Sequence, residues 1–196
     1  MDEIAELDNA RNLALQEIGR NVVAFQKMEA MLKFLAANYR IQGLPDQLNR
    51  IRNQNRRDVD RQTMGSLVDK LFRSVVIEGA NEQDEPNAPV GEASLRISIE
   101  LGAEAHDETR EAFRLVVQER NALIHKMLVS FDPNSLNSCQ EVSMLLDAQR
   151  DRLKPHFEYL RSMVKAISEG HKSLQDLIDS EDFPNMLDGL DKDAPR

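Results

Sequence analysis

Apolar residues recur at three- and four-residue spacings over two long stretches, and this period constrains the fold more than any other feature. The first stretch covers residues 3–39 and the second covers residues 138–170. This spacing places the apolar side chains on one face of a helix, so the first stretch predicts one or two helices and the second a long helix, each with one buried side. Gly19 is expected to bend the first helix at most, and Pro155 is expected to kink or interrupt the second.

Shorter elements fill the chain between these two helices. Residues 47–60 are polar and basic, and the apolar pattern predicts a short helix over 62–76 and an apolar-periodic helix over 111–129, which Asp107 is expected to cap. Residues 78–91 are rich in glycine and proline and predict a loop. Residues 95–101 alternate between apolar and polar side chains, which favours a single short strand, although a helix is also compatible with them.

These elements predict an all-α fold, a bundle of about four to six helices with two long antiparallel helices. A lone strand would have to pair with a partner chain or lie extended along the helices. We expect one helical domain over residues 1–170, followed by an acidic C-terminal extension over residues 171–196.

The composition is that of a folded chain without a membrane anchor. Of the 196 residues, 41% are hydrophobic and 30% are charged. No apolar run reaches the roughly 18 to 20 residues that cross a bilayer, and the acidic N-terminus lacks a signal pattern. The single cysteine, Cys139, excludes an internal disulfide. We therefore expect a cytoplasmic protein with no membrane partner.

Three polar side chains interrupt the apolar pattern of the helix over residues 111–129: Arg120, Asn121 and His125. Residues 121 and 125 are four apart and share a helix face, which the long Arg120 side chain can also reach. This set suits a phosphate, because arginine can clamp it and histidine can move a proton near neutral pH. The alternative is a buried polar cluster in which Glu119 pairs with Arg120.

The Arg-Asn-x-x-x-His pattern of residues 120–125 resembles the signature of the HEPN superfamily. These are small α-helical domains, many of them metal-independent RNases of bacterial conflict systems. The segment from Thr63 to Val68 and the last long helix occupy places where family members have similar elements, so the resemblance covers about residues 10–170. Met127 departs from a common subgroup, which has tyrosine there. The resemblance implies a composite catalytic site of Arg120, Asn121 and His125 at a homodimer interface.

RNA can be cut without metal when its own 2′-hydroxyl attacks the adjacent phosphate, which requires a base, an acid and positive charge on the phosphate. We therefore expect a metal-independent endoribonuclease with no cofactor, a hydrolase that cuts tRNA or mRNA in a toxin–antitoxin or antiviral defence system. An antitoxin or regulatory protein is a further candidate partner. The alternative is a non-catalytic HEPN-like module that binds RNA, a nucleotide or a protein, which the net charge of −9 and Met127 favour.

One stretch of this acidic chain is basic. Residues 46–73 contain seven basic and four acidic side chains, a net charge of +3. Five arginines in this stretch are candidate contacts to the RNA backbone: Arg50, Arg52, Arg56, Arg57 and Arg61. The alternative is a solvated helix face with intrahelical ion pairs such as Asp58 with Arg61. Residues 169–196 carry a net charge of −5 and either mimic nucleic acid and cover the basic stretch or form a solubilising terminus.

Overall fold

The computed structural model describes residues 2–79 and 92–180, and helix predominates in them, as predicted. The helices are α1 (Asp2–Asn38), α2 (Leu48–Asp60), α3 (Met64–Ser74), α4 (Ala103–Ala122), α5 (Leu128–Ser130) and α6 (Leu136–Ile178). A 3₁₀ turn (Pro45–Gln47) precedes α2, and a π-helical turn (Leu123–Met127) joins α4 to α5. The strands are β1 (Arg40–Gly43), β2 (Val76–Glu78), β3 (Ala93–Arg96) and β4 (Ile99–Leu101). In the described ranges, no helix is long and apolar enough to cross a membrane.

Residue contacts divide the chain into two compact units. The first contains Met1–Met31 and Thr109–Arg161, and the second contains Leu32–Glu108 and Ser162–Arg196. The long helices α1 and α6 therefore each contribute to both units. The acidic extension expected from residue 171 begins inside α6, which continues to Ile178, and its residues 181–196 lie outside the described residues.

In the first unit, α4 and α6 form an antiparallel pair. Phe113, in the middle of α4, packs its ring 5.3 Å from the ring of His156. Further along α4, Glu119 pairs with Arg152, which precedes His156 in α6 by one helical turn. Phe113 is fully buried, so this pairing encloses part of the core of the unit.

Helix α1 runs in the same direction as α6 in this unit. The Arg11 Nε donates to the Pro133 carbonyl (2.7 Å), just before α6 begins, and the Asn21 Nδ2 donates to the Leu146 carbonyl (3.2 Å), about a quarter of the way along it. The two long helices predicted from the sequence are α1 and α6, and the expectation that they run antiparallel is wrong for this unit. The antiparallel pair here is α4 and α6.

The second unit contains two small sheets that the sequence did not predict. Strands β1 and β3 pair antiparallel, with Arg40 opposite Arg96, and β2 and β4 pair parallel. The single strand predicted over residues 95–101 is thus two strands separated by Ile97 and Ser98, and both find their partners within the chain. Strands β1 and β2 are only four and three residues long, too short for an alternating pattern to be recognised.

The end of α6 packs on the first turns of α2 in the second unit. Ile41, Leu48 and Ala93 form a buried apolar cluster, against which Ile51, Leu95, Leu174 and Ile178 pack. Gly43 lies beside this cluster with φ +157°, and a Cβ atom there would be 2.5 Å from the Ile51 Cδ1. Glycine at this position therefore permits both the backbone conformation and the close approach of α2.

Two predictions about the helices need correction. Asp107 does not cap the helix predicted over residues 111–129, because α4 begins at Ala103 and Asp107 lies inside it. Pro155 does not interrupt α6, which continues as a helix on both sides of it. The loop predicted over residues 78–91 begins after β2, and its residues 80–91 lie outside the described residues.

Candidate functional site

Arg120, Asn121 and His125 lie in the last turn of α4 and the π-helical turn that follows it. The Arg120 Nη1 donates to the Asn121 Oδ1 at 3.1 Å. Asn121 and His125 are exposed, whereas Arg120 is half-buried. The asparagine therefore orients the guanidinium next to the face that carries the histidine. Of the three side chains, only Arg120 and Asn121 are joined by a hydrogen bond, and His125 lies on the next turn.

The π-helical turn places His125 where the helix changes its register. The Leu128 N–H donates to the Leu123 carbonyl, five residues earlier, instead of the usual four. Leu123 is fully buried, while His125 and Lys126 in the same turn are exposed. Such wide turns are rare and occur often at functional sites.

Glu119 does not neutralise Arg120, contrary to the polar-cluster interpretation of the sequence. The Glu119 Oε1 accepts from the Arg152 Nε at 2.7 Å. Within the described ranges, Arg120 forms no ion pair with a carboxylate, so its positive charge is available to an anion. Because Glu119 and Arg152 are 33 residues apart, no local pattern in the sequence could have indicated this pairing.

The other three histidines are each held by a neighbour. The ring of His156 packs at an angle of 62° on Phe113, and burial lowers the pKa of His156 below its usual 6.5, against the opposite effect of the Glu119 carboxylate. His106 Nε2 is 3.1 Å from the Phe72 carbonyl oxygen. His171 Nε2 is 2.6 Å from the Asn38 carbonyl oxygen.

An apolar groove of about 350 Å³ borders the motif in the first unit. Its lining includes Ala122, Lys126 and Met127 from residues 120–127, which we call the motif segment, and Val142 and Leu145 from α6. Leu145 in this lining is 57% exposed, and Val129 and Met144, which are adjacent in sequence to lining residues, are 80% and 73% exposed. The sequence did not predict this surface, because it forms only where the end of the motif segment meets the start of α6.

Three arginines of the basic stretch form one surface, which we call the arginine face: Arg50, Arg57 and Arg61. Their spacings of seven and four residues place them on one side of α2, opposite the buried Leu48 and Val59. All three are exposed, and none pairs with a described acidic residue. The predicted pair of Asp58 with Arg61 is not formed, because the Asp58 Oδ1 accepts instead from the Gln54 Nε2 at 2.8 Å.

The two remaining arginines of α2 point elsewhere. Arg56 is exposed but lies about 100° around the helix from Arg57. Arg52 is half-buried, with its Nη2 3.0 Å from the His171 Nδ1. Because a guanidinium only donates, His171 accepts at Nδ1 and donates from Nε2 to the Asn38 carbonyl. Arg52 therefore ties α2 to α6 rather than facing solvent.

Among residues 2–79 and 92–180, no group of three or more His, Cys, Asp or Glu side chains is placed to hold a metal ion. Comparisons of the chain with models of protein families, with curated proteins and with solved structures found no match. What bears on function is therefore the geometry around Arg120 and the exposed arginine face.

Proposed function

We propose that the chain is a metal-independent endoribonuclease of the HEPN type that acts as a homodimer in a toxin–antitoxin or antiviral defence system. One observation carries this proposal. The Arg120 guanidinium is oriented by Asn121, is paired with no described carboxylate and lies on the same helix as the exposed His125. An anion and a proton-transfer step can therefore meet on one surface.

The chemistry needs only groups that these side chains supply. The 2′-oxygen of RNA bonds to the adjacent phosphorus, and the bond from phosphorus to the 5′-oxygen breaks. The 2′-hydroxyl gives its proton to a base, and an acid protonates the departing 5′-oxygen, which leaves a 2′,3′-cyclic phosphate. His125 serves as the base when neutral or as the acid when protonated. Arg120 stabilises the charge that develops on the non-bridging oxygens.

A homodimer supplies the second proton-transfer group. Each protomer offers His125, whereas His156, the other histidine of the first unit, packs on Phe113 beside the Glu119 carboxylate. A two-fold axis near the motif would bring two histidines and two arginines together. The exposed Leu145 in the lining of the apolar groove supports self-association at this surface.

RNA binding is assigned to the arginine face in this proposal. Neutralisation of phosphates by Lys and Arg dominates the affinity of proteins for nucleic acids. Arg50, Arg57 and Arg61 offer three charges along one side of α2, and Arg56 adds a fourth on the neighbouring side. Arg52 is left out because it is engaged by His171.

The decisive experiment compares cleavage of total tRNA in EDTA by the parent and by His125→Ala. General acid–base groups contribute about 10²–10⁴-fold to such rates, so the variant is expected to lose at least about 99% of the activity. Gln118→Ala is the matched control, since Gln118 is exposed two turns before His125 on the same side of the helix. Circular dichroism and gel filtration would establish that fold and oligomeric state are retained.

Equal cleavage by the parent and His125→Ala would overturn the assignment of His125. Loss of activity in Gln118→Ala as well would point to damage of the helix rather than removal of a catalytic group. Mass spectrometry of the products supplies an independent check, because the proposed reaction leaves 2′,3′-cyclic phosphate ends.

The second candidate is a HEPN-like module that binds RNA without cutting it. It is favoured by the arginine face, which can hold phosphates whether or not the motif is active, and by the lack of a described hydrogen-bond partner that would fix the tautomer of His125. This candidate predicts a stable complex with intact RNA. Nicked RNA in the complex with the parent chain, together with intact RNA in the complexes with Arg120→Ala and His125→Ala, would exclude this candidate.

A further inference from the structure

The arginine face is a charged helix surface whose partner is not among the described residues. Arg50, Arg57 and Arg61 extend about 16 Å along α2 without an ion pair to any described carboxylate. Asp58 and Asp60, the acidic side chains nearest to them in sequence, form no described ion pair with them, and the Asp58 Oδ1 accepts from the Gln54 Nε2. A polyanion is therefore the chemistry that this surface fits.

The end of α6 is fixed on the side of α2 that lies opposite this face. Leu174 and Ile178 pack against the cluster that contains Leu48, which is buried opposite the three arginines. One turn before Leu174, His171 is bonded to Arg52. The chain that follows residue 180 therefore starts next to α2, within the same unit.

The sequence after this point is acidic and long enough to follow the helix. Residues 181–196 contain five acidic and two basic side chains. Asp188 is ten residues beyond Ile178, which corresponds to a reach of up to about 33 Å, whereas α2 is about 20 Å long and about 10 Å across. Asp188, Asp191 and Asp193 are therefore far enough along the segment to pass around the helix and reach every arginine of the face, while Glu181 and Asp182 are not.

We propose that the segment of residues 181–196 occupies the arginine face of its own chain and competes there with RNA. The competition with RNA rests on the proposed function, but the docking of the segment does not. With an effective concentration on the order of 1 mM for a tethered segment and an affinity on the order of 0.1 mM, docking weakens RNA binding about tenfold. The segment is thus a built-in competitor that RNA must displace.

Zero-length carbodiimide cross-linking tests the docking directly. Arg57→Lys keeps the charge and supplies an amine that can be joined to a carboxylate. The expected product links position 57 to an acid of residues 188–193, with a yield that does not change on dilution because the reaction is intramolecular. The control is Arg20→Lys on α1, where the arginine is 49% exposed and in the other unit. A link to the acids of residues 80–91, a yield that falls on dilution, or equal linkage in both variants would overturn the proposal.

Binding of a short single-stranded RNA tests the competition. A chain that ends at residue 180 is expected to bind about tenfold more tightly than the full chain at low salt, and full chains with Asp188, Asp191 and Asp193 changed to Asn should approach it. The charge-matched control changes Glu3, Glu6 and Glu108 to Gln, all of which are exposed. An equal gain in this control would show a general charge effect and overturn the competition. If no form binds RNA, the proposed function fails, while the cross-link still decides whether the segment docks.

Discussion

The arginine face makes a quantitative prediction about the salt dependence of RNA binding. Each phosphate that an arginine neutralises adds about 0.7 to the slope of log K against log salt for a single strand. Changing Arg50, Arg57 and Arg61 to Gln should therefore lower the slope by about 2. Between about 50 mM and about 200 mM salt, the affinity of the parent should fall roughly 20-fold more than that of the triple variant.

Fluorescence anisotropy with a labelled single-stranded RNA, measured at four salt concentrations, provides the slope. The matched control changes Lys27, Lys154 and Lys165 to Gln, three exposed cations outside α2 that produce the same change in net charge. The control should keep the slope of the parent, because only bound phosphates release their counterions. Parallel lines for the parent and the arginine variant would refute the assignment of RNA contacts to this face.

Three further predictions concern the framework of the two units, and chemical denaturation measures each. Asn21 is fully buried and its amide donates to two backbone carbonyls. Asn21→Asp should therefore lower the free energy of unfolding by about 3–5 kcal/mol, and Asn21→Leu should lower it by clearly less. Gly43→Ala should lower it by about 1–3 kcal/mol, because of φ +157° and the contact with Ile51. Burial lowers the pKa of His156, so stability should fall as the pH drops below about 6.5, and His156→Gln should reduce this fall. If Asn21→Asp or Gly43→Ala were as stable as the parent, the reasoning for that residue would be contradicted. If His156→Gln and the parent lost stability equally as the pH falls, the reasoning for His156 would be contradicted.

The sequence predicted those elements whose signal is repeated along the chain. Helix α1 was expected over residues 3–39 and is Asp2–Asn38, and α3 was expected over 62–76 and is Met64–Ser74. In both, apolar residues recur at helical spacing, so a few ambiguous positions do not change the period. Helix α6 extends to Ile178, further than expected, since its last residues pack on a cluster formed by distant strands.

Features that depend on distant partners were not predictable in this way. The partner of Glu119 is 33 residues away, and that of Arg52 is 119 residues away, so neither pairing leaves a local pattern. Arg50 and Arg52 are two residues apart in the sequence, yet Arg52 contacts His171 whereas Arg50 faces solvent. Strands β1 and β2 pair with β3 and β4 from another part of the chain, and a run of three or four residues does not indicate such a pairing.

The negative charge of the whole chain does not argue against RNA binding, because its charges are segregated. At physiological salt an exposed charge is screened within about 8 Å, so an approaching phosphate responds to the nearest side chains and not to the net charge of −9. Along the arginine face the three arginines outnumber the two nearby carboxylates, Asp58 and Asp60, so the local charge is positive. By the same reasoning, the proposed competition requires the acids that follow Ser180 to lie close to this face, and the end of α6 packs on α2. The local placement of charges, and not the net charge of the chain, is therefore what the RNA-binding and docking experiments test.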